Sequence, residues 1–197
     1  MMDSEFNAHL QRPGFRLQRI ELLNWGAFDS SDGQVYRFEP NGRTCLLVGQ
    51  NGTGKSTLVD GMLTLLVEPR TRNYNVAAGA GKRERTIETY IQGAYKRTIE
   101  EYDSAAVEFL RPRSKLLTAL LALIHAEELD QAFNLLQVHY LTAHGSDRYY
   151  AFHNQGRELQ YDLANIVNAE AVRSQLKSLG YRVTKRFNEY HSWFTKQ

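Results

Sequence analysis

The densest chemistry in the chain lies in eight consecutive residues, Gly49-Gln50-Asn51-Gly52-Thr53-Gly54-Lys55-Ser56. They fill every fixed position of G-x-x-x-x-G-K-[ST], a spacing whose function is to surround phosphate oxygens. Glycines let the backbone close around an anion without Cβ clashes. The N–H groups of a helix beginning after the loop add positive potential. The Lys55 ammonium faces β- and γ-phosphates and is the candidate catalytic residue, the Ser56 hydroxyl is placed to ligate Mg²⁺, and Thr57 can contact an α-phosphate. The candidate binding set is therefore Gly49, Asn51, Gly52, Thr53, Gly54, Lys55, Ser56 and Thr57. It implies ATP and Mg²⁺ as cofactors.

Such a loop works only between a strand and a helix, and the flanking residues predict both. Thr44 to Val48 is a continuous apolar run of the kind found in a strand covered on both faces. Lys55 to Val67 carries Leu58, Met62, Leu65 and Leu66 at helical spacing, and Pro69 ends that pattern. Upstream, Phe15 to Leu23 and Gln34 to Phe38 read as strands, joined through Asn24-Trp25-Gly26-Ala27-Phe28 and a turn cluster at Asp29 to Gly33. Downstream, Asn73 to Gly81 is small and flexible in composition. Glu84 to Tyr95 has the periodicity of an amphipathic helix, and Ala105 to Leu110 reads as a strand. Leu116 to Ala126 fits either a helix or a buried strand. Ala132 to Leu141 and Arg148 to His153 read as strands. Asn168 can cap a helix running to Leu179, with Gly180 beyond it, and the chain from Asn188 reads as helical.

Composition narrows the rest. The chain has 197 residues, 24 Lys plus Arg against 22 Asp plus Glu, and 42% hydrophobic residues, an ordinary globular balance. No apolar run approaches the roughly 18–20 residues of a membrane span. Residues 1–14 read as a flexible N-terminus without the apolar core of a signal peptide. The single cysteine, Cys45, excludes an internal disulfide framework and fits a cytoplasmic protein. The six histidines show no metal-site spacing. Between Arg70 and Arg97, seven basic residues stand against two acidic ones. Arg70/Arg72 and Lys82/Arg83/Arg85 flank the glycine- and alanine-rich stretch. They can drape onto the phosphates of double-stranded DNA without fixed register, or form a solvated face.

The phosphate loop alone leaves kinases, GTPases and ATPases open. A β-rich lead-in of 48 residues before Gly49 favours an ABC-type ATPase, and no N-K-x-D guanine-reading motif follows. Hydrolysis needs a further carboxylate at a strand end. The nearest match, Leu120 to Ile124, is followed by His125 and only then by Glu127 and Glu128, so it reads as a plain core element. No S-G-G signature occurs. The chain carries the nucleotide-gripping half of an ATPase, and as this fragment it is expected not to hydrolyse ATP.

An ABC fold split into an N-terminal lobe with the phosphate loop and a distant C-terminal lobe is the arrangement of SMC-type proteins. The segment from Phe15 to Phe28 resembles the first strand and aromatic turn of MukB-like heads. Leu66-Val67-Glu68-Pro69-Arg70, Tyr74 to Gly79 and Arg83-Glu84-Arg85-Thr86 resemble the JetC subunits of Wadjet anti-plasmid systems, SMC-like ATPases of the MukB/MksF group. Phe187-Asn188-Glu189-Tyr190-His191 resembles the helix leading toward their first coiled-coil arm. The resemblance implies an α/β fold, the N-terminal lobe of an ABC/SMC-type head over residues 15–197: a mixed β-subdomain plus half of a RecA-like lobe, cut before the coiled coil. It makes Leu117 to Leu141 a β-hairpin. It implies ATP-driven DNA loop extrusion in plasmid defence. The implied partners are the C-terminal lobe, a second head, kleisin and winged-helix subunits, and a nuclease subunit. It also suggests a Q-loop glutamine for Mg²⁺ at Gln197, with Gln92 as a polar helix residue. It allows an arginine-loop role for Arg70 and Arg72, and adenine contacts from Trp25 and Phe28, whose other reading is core packing. A RecF/RecN-type repair ATPase lobe and a stand-alone ATP- or DNA-binding module without turnover are the competing functions.

Overall fold

A computed structural model describes residues 14–72, 74, 86–99, 105–111, 117–126, 129–159 and 169–196. The expectations resting on residues 1–13, on the 75–81 stretch, and on Lys82, Arg83, Arg85, Glu127, Glu128, Asn168 and Gln197 lie outside these residues.

The described chain builds eight strands: β1 (Arg16–Leu23), β2 (Tyr36–Phe38), β3 (Ala94–Ile99), β4 (Ala105–Phe109), β5 (Leu117–Ala126), β6 (Gln131–Thr142), β7 (Gly145–His153) and β8 (Arg182–Thr184). It also builds four helices: α1 (Lys55–Leu66), α2 (Ile87–Gln92), α3 (Ala169–Ser178) and α4 (Phe187–Phe194). Six strands form one antiparallel sheet in the order β2-β1-β5-β6-β7-β8, and β3 and β4 form a separate hairpin.

Both faces of the large sheet are covered, which explains why β5 is apolar almost throughout and why β6 buries Asn134, Gln137 and His139 along with its apolar residues. Ile20, Leu22, Leu120, Ala122, Phe133, Leu135, Tyr150 and Phe152 share one core with Leu58 and Leu65 of α1, Tyr90 of α2, and Tyr190 and Trp193 of α4. Ala119, Leu121, Leu136, Val138 and Ala151 share the other with Leu159, Tyr181, and Val172 and Leu176 of α3. This packing resolves the Leu116 to Ala126 ambiguity: leucine and alanine favour helix in isolation, but a ten-residue ladder from Leu117↔Tyr140 to Ala126↔Gln131 overrides propensity. The fold is the mixed α/β arrangement expected for the N-terminal lobe of a P-loop ATPase.

The structure departs from the sequence expectations in three places. The helix predicted over Glu84 to Tyr95 ends at Gln92, because Gly93 takes φ 69° and turns the chain into β3. At its start, the Thr86 and Thr89 side chains cap each other's backbone N–H groups. The strand β8 carried too short a pattern to be read. The third departure is larger. Thr44 to Val48 forms no strand; it runs outside both sheets, with Leu46 85% and Val48 75% exposed. Its residues are apolar, but it pairs with none of the described strands.

Candidate nucleotide-binding site

The phosphate loop is built on left-handed glycines. Gly52 and Gly54 have φ 84° and 89°, a region that costs other L-residues roughly 1–2 kcal/mol. The Thr53 hydroxyl donates to the Gln50 carbonyl at 2.8 Å, and Leu58 N–H closes the first helical bond on Gly54 O at 2.9 Å. Gly54 is the N-cap of α1. No side chain caps this terminus, and its first turn contains no acidic residue. The leading N–H groups of a twelve-residue helix are thus left for an external anion. The Lys55 ammonium folds back to donate to Gly49 O at 2.6 Å and Gln50 O at 2.7 Å, across the mouth of the loop. Phosphate oxygens would compete for that ammonium. Asn51, Gly52 and Thr53 are exposed, and Lys55, Ser56 and Thr57 are half-buried. The donor set fits a polyphosphate, and the Ser56 hydroxyl fits a hard cation that keeps most of its water. Among the described residues no group of three His, Cys, Asp or Glu is placed to hold a metal ion.

The helix bearing the loop is held at both ends. At the C-terminal end, side chains from elsewhere in the chain take the Thr64, Leu65 and Val67 carbonyls. Arg72 donates to Thr64 O (2.6 Å) and Val67 O (2.7 Å), Gln137 to Thr64 O (2.7 Å), and Tyr190 Oη to Leu65 O (3.2 Å). Arg72 is therefore committed to capping α1, an assignment its place after a helix end permits. Arg70 is exposed. Behind Gln137, His139 is fully buried on the same face of β6. Its Nε2 lies 3.1 Å from Gln137 Oε1, while its Nδ1 has no hydrogen-bond partner. Burial, with the Arg148 and Arg72 charges, pushes its pKa down to about 3.

At the N-terminal end, the aromatic turn after β1 clasps the loop. Trp25 Nε1 donates to Thr57 O at 2.8 Å, and a Cβ on Gly26 would stand 2.5 Å from Thr57 Cγ2. A Cβ on Gly54 would stand 2.8 Å from Phe28 Cζ, so the Phe28 ring lies flush against the loop. Trp25 is fully buried and stacks on Tyr90 at 4.4 Å with rings 8° from parallel. Phe28 packs on Tyr36 and Phe38. Both aromatics are core residues beneath the loop, which decides against adenine contacts. Behind them, Tyr90 Oη donates to the buried carboxylate of Asp60 in α1, and Tyr90 O accepts from Gly26 N–H at 2.8 Å.

Sequence reasoning missed Tyr90, Asp60, Gln137 and Arg111. Only Gly93, a glycine within the helical pattern of Glu84 to Tyr95, signalled the tight packing in this region. Leu120 to Ile124, the nearest match to a hydrolytic strand, lies inside β5, antiparallel to both neighbours and within the two cores. Gln92 is the last residue of α2.

The P-loop containing region of AAA domain, a known family, matches residues 17–81. That span covers all but the first residue of β1, then the aromatic turn, β2, the loop and α1. No curated protein matches the chain. The match spans about a third of the chain and supports a P-loop ATPase-type domain with a nucleotide-binding region there. No described helix is long and apolar enough to cross a membrane.

Proposed function

We propose that this chain is the N-terminal lobe, over residues 15–197, of an SMC-like ATPase head that drives DNA loop extrusion in plasmid defence. A second lobe, reached through a coiled coil, completes the head. The observation that carries this reading is the state of Thr44 to Gln50. An apolar segment of strand character leads directly into a phosphate loop, yet it runs exposed beside a sheet it does not enter. Exposed β-prone backbone of this kind is a template for further strands. A lobe supplying strands on either side would bury Leu46 and Val48. It would also bring the missing carboxylate to the Mg²⁺ site beside Ser56 and, from a second head, the signature motif. ATP would then govern head engagement as well as fuel it. The MukB- and JetC-like blocks support this reading, and so does the family match to a P-loop region. Within it, double-stranded DNA, kleisin and winged-helix subunits and a nuclease subunit are the partners. Arg70 with Lys82, Arg83 and Arg85 supplies phosphate contacts, and Gln197 is the candidate Q-loop ligand.

The test is genetic. Cells carrying the complete operon around this gene are transformed with a small circular plasmid, using the wild-type gene or Lys55→Ala. The proposal expects plasmid exclusion in the first and its loss in the second. Equal transformation in both, with Lys55→Ala cells newly sensitive to DNA damage, would move the reading to a RecF/RecN-type repair ATPase.

A further inference from the structure

Arg111 lies 82 residues from Asp29 and 20 from Ile91, yet its buried guanidinium joins both. Nε donates to Ile91 O at 2.9 Å and Nη1 to Asp29 Oδ1 at 3.0 Å. Nη2 donates to Gly26 O at 2.8 Å and Tyr90 O at 3.1 Å. One rigid fork thus fixes the carbonyls at the end of α2 and the carbonyl of the aromatic turn. The room for it is made by Gly93. A Cβ there would stand 2.7 Å from both Arg111 Nη2 and Gly26 O. The backbone reinforces the position, since Arg111 N–H donates to Gln92 O at 3.0 Å.

The turn that Arg111 holds is the turn on which the loop rests. Gly26 is flush against Thr57, Trp25 Nε1 bonds Thr57 O, and Phe28 is flush against Gly54. Gly54 to Thr57 bear the N–H groups that face an anion. A shift of the turn must therefore move the phosphate donors or open a gap beneath them, and a packed interior resists the second.

We propose that Arg111 is a positioning residue for nucleotide binding, acting through the Trp25-to-Phe28 turn to hold Gly54 to Thr57 in the geometry that grips phosphate. This rests on the nucleotide-binding reading of the loop. Arg111 touches no nucleotide; its influence passes from guanidinium to Gly26 carbonyl, from Gly26 to Thr57, and from Phe28 to Gly54. Charge alone does not suffice, because an ammonium at this place cannot span three carbonyls and a carboxylate set for a planar fork.

The experiment uses the full chain in a Trp193→Phe background, leaving Trp25 as its one tryptophan. Mant-ATP with Mg²⁺ is titrated well below each variant's melting temperature and read by energy transfer from Trp25. Arg111→Lys should bind about tenfold more weakly, the loss expected when one charge-assisted hydrogen bond of the brace fails. Asp29→Asn, at the half-exposed rim, should bind about twofold to fivefold more weakly. In both variants amide hydrogen exchange should quicken at Gly26 and Thr57 and stay at the wild-type rate in β5 and β6. Wild-type affinity in both, with melting temperature alone lowered, would overturn the proposal and leave Arg111 a purely structural brace. Should Arg111→Lys not fold, Asp29→Asn decides by the same two readouts. Undiminished binding by Lys55→Ala would be a different failure, removing the phosphate-loop reading itself.

Discussion

His139 gives the fold a built-in acid sensitivity that can be worked out from its surroundings. Gln137 uses its amide N–H₂ on Thr64 O and Leu65 O, so its Oε1 is left to accept from His139 Nε2–H. The ring is then the neutral Nε2–H tautomer, with a bare Nδ1. Adding a proton at Nδ1 would create a buried cation without an acceptor, near Arg148 and Arg72. The folded state holds the pKa at about 3, while the unfolded chain titrates near the ordinary 6.5. As pH falls below the unfolded value, the unfolded chain takes up a proton that the folded chain refuses, so stability is lost on acidification throughout the interval between the two. Between about pH 6 and about pH 4.5 the linkage amounts to roughly 2 kcal/mol from this one group. Urea unfolding of the wild type and His139→Gln across that range isolates it, because carboxylates contribute equally to both proteins. The difference in stability between the two should change by about 2 kcal/mol in favour of the variant as pH is lowered. Parallel stability curves would refute the reasoning.

The exposed segment before the loop makes a complementary prediction. Leu46→Lys with Val48→Lys should leave the unfolding midpoint of this chain within about 0.5 kcal/mol of wild type, yet abolish ATP turnover by the complete head; a marked loss of stability would show that the segment packs in this lobe. Gly54→Ala forces a methyl against Phe28 at positive φ, so it should weaken Mg-ATP binding and cost about 1–2 kcal/mol in urea unfolding. Glu21 is fully buried between Arg19 and Arg37, each 2.9 Å away, and accepts from Leu159 N–H. Glu21→Ala leaves Arg19 without its carboxylate while Arg37 keeps Glu158 at 2.6 Å, and should lower stability by about 1–3 kcal/mol in thermal unfolding. The purified 197-residue chain should show no ATP hydrolysis above background, and steady Lys55-dependent phosphate release would contradict that expectation.

The loop and its helix were legible because their residues are dictated locally. Glycine at left-handed φ, Lys55 behind it and leucines at helical spacing need no tertiary information. The strands β6 and β7 were legible for the same reason. What the residues alone left open or misplaced depends on a distant partner. Leu117 to Ala126, open between helix and strand on its own residues and a hairpin strand by the resemblance, is a strand because β1 and β6 flank it, while Thr44 to Val48 is unpaired although its residues are those of a buried strand. The brace around the loop was invisible for a further reason. Arg111, Tyr90 and Asp60 are 21 to 51 residues apart from one another, and no local pattern marks an arginine destined to bind carbonyls. Arg72 could be placed after a helix end, but only the folded chain shows its guanidinium turned back onto Thr64 and Val67.

The central claim is that Gly49 to Thr57 grips the phosphates of a magnesium nucleotide. Calorimetric titration of the chain with Mg-ATP, beside Lys55→Ala, measures it directly. Removing the ammonium that now rests on Gly49 O and Gln50 O should weaken binding by about a hundredfold, the loss of a charge-assisted contact to phosphate. Inorganic triphosphate should compete with ATP in the wild type. Equal heats and affinities in the two proteins would contradict the account.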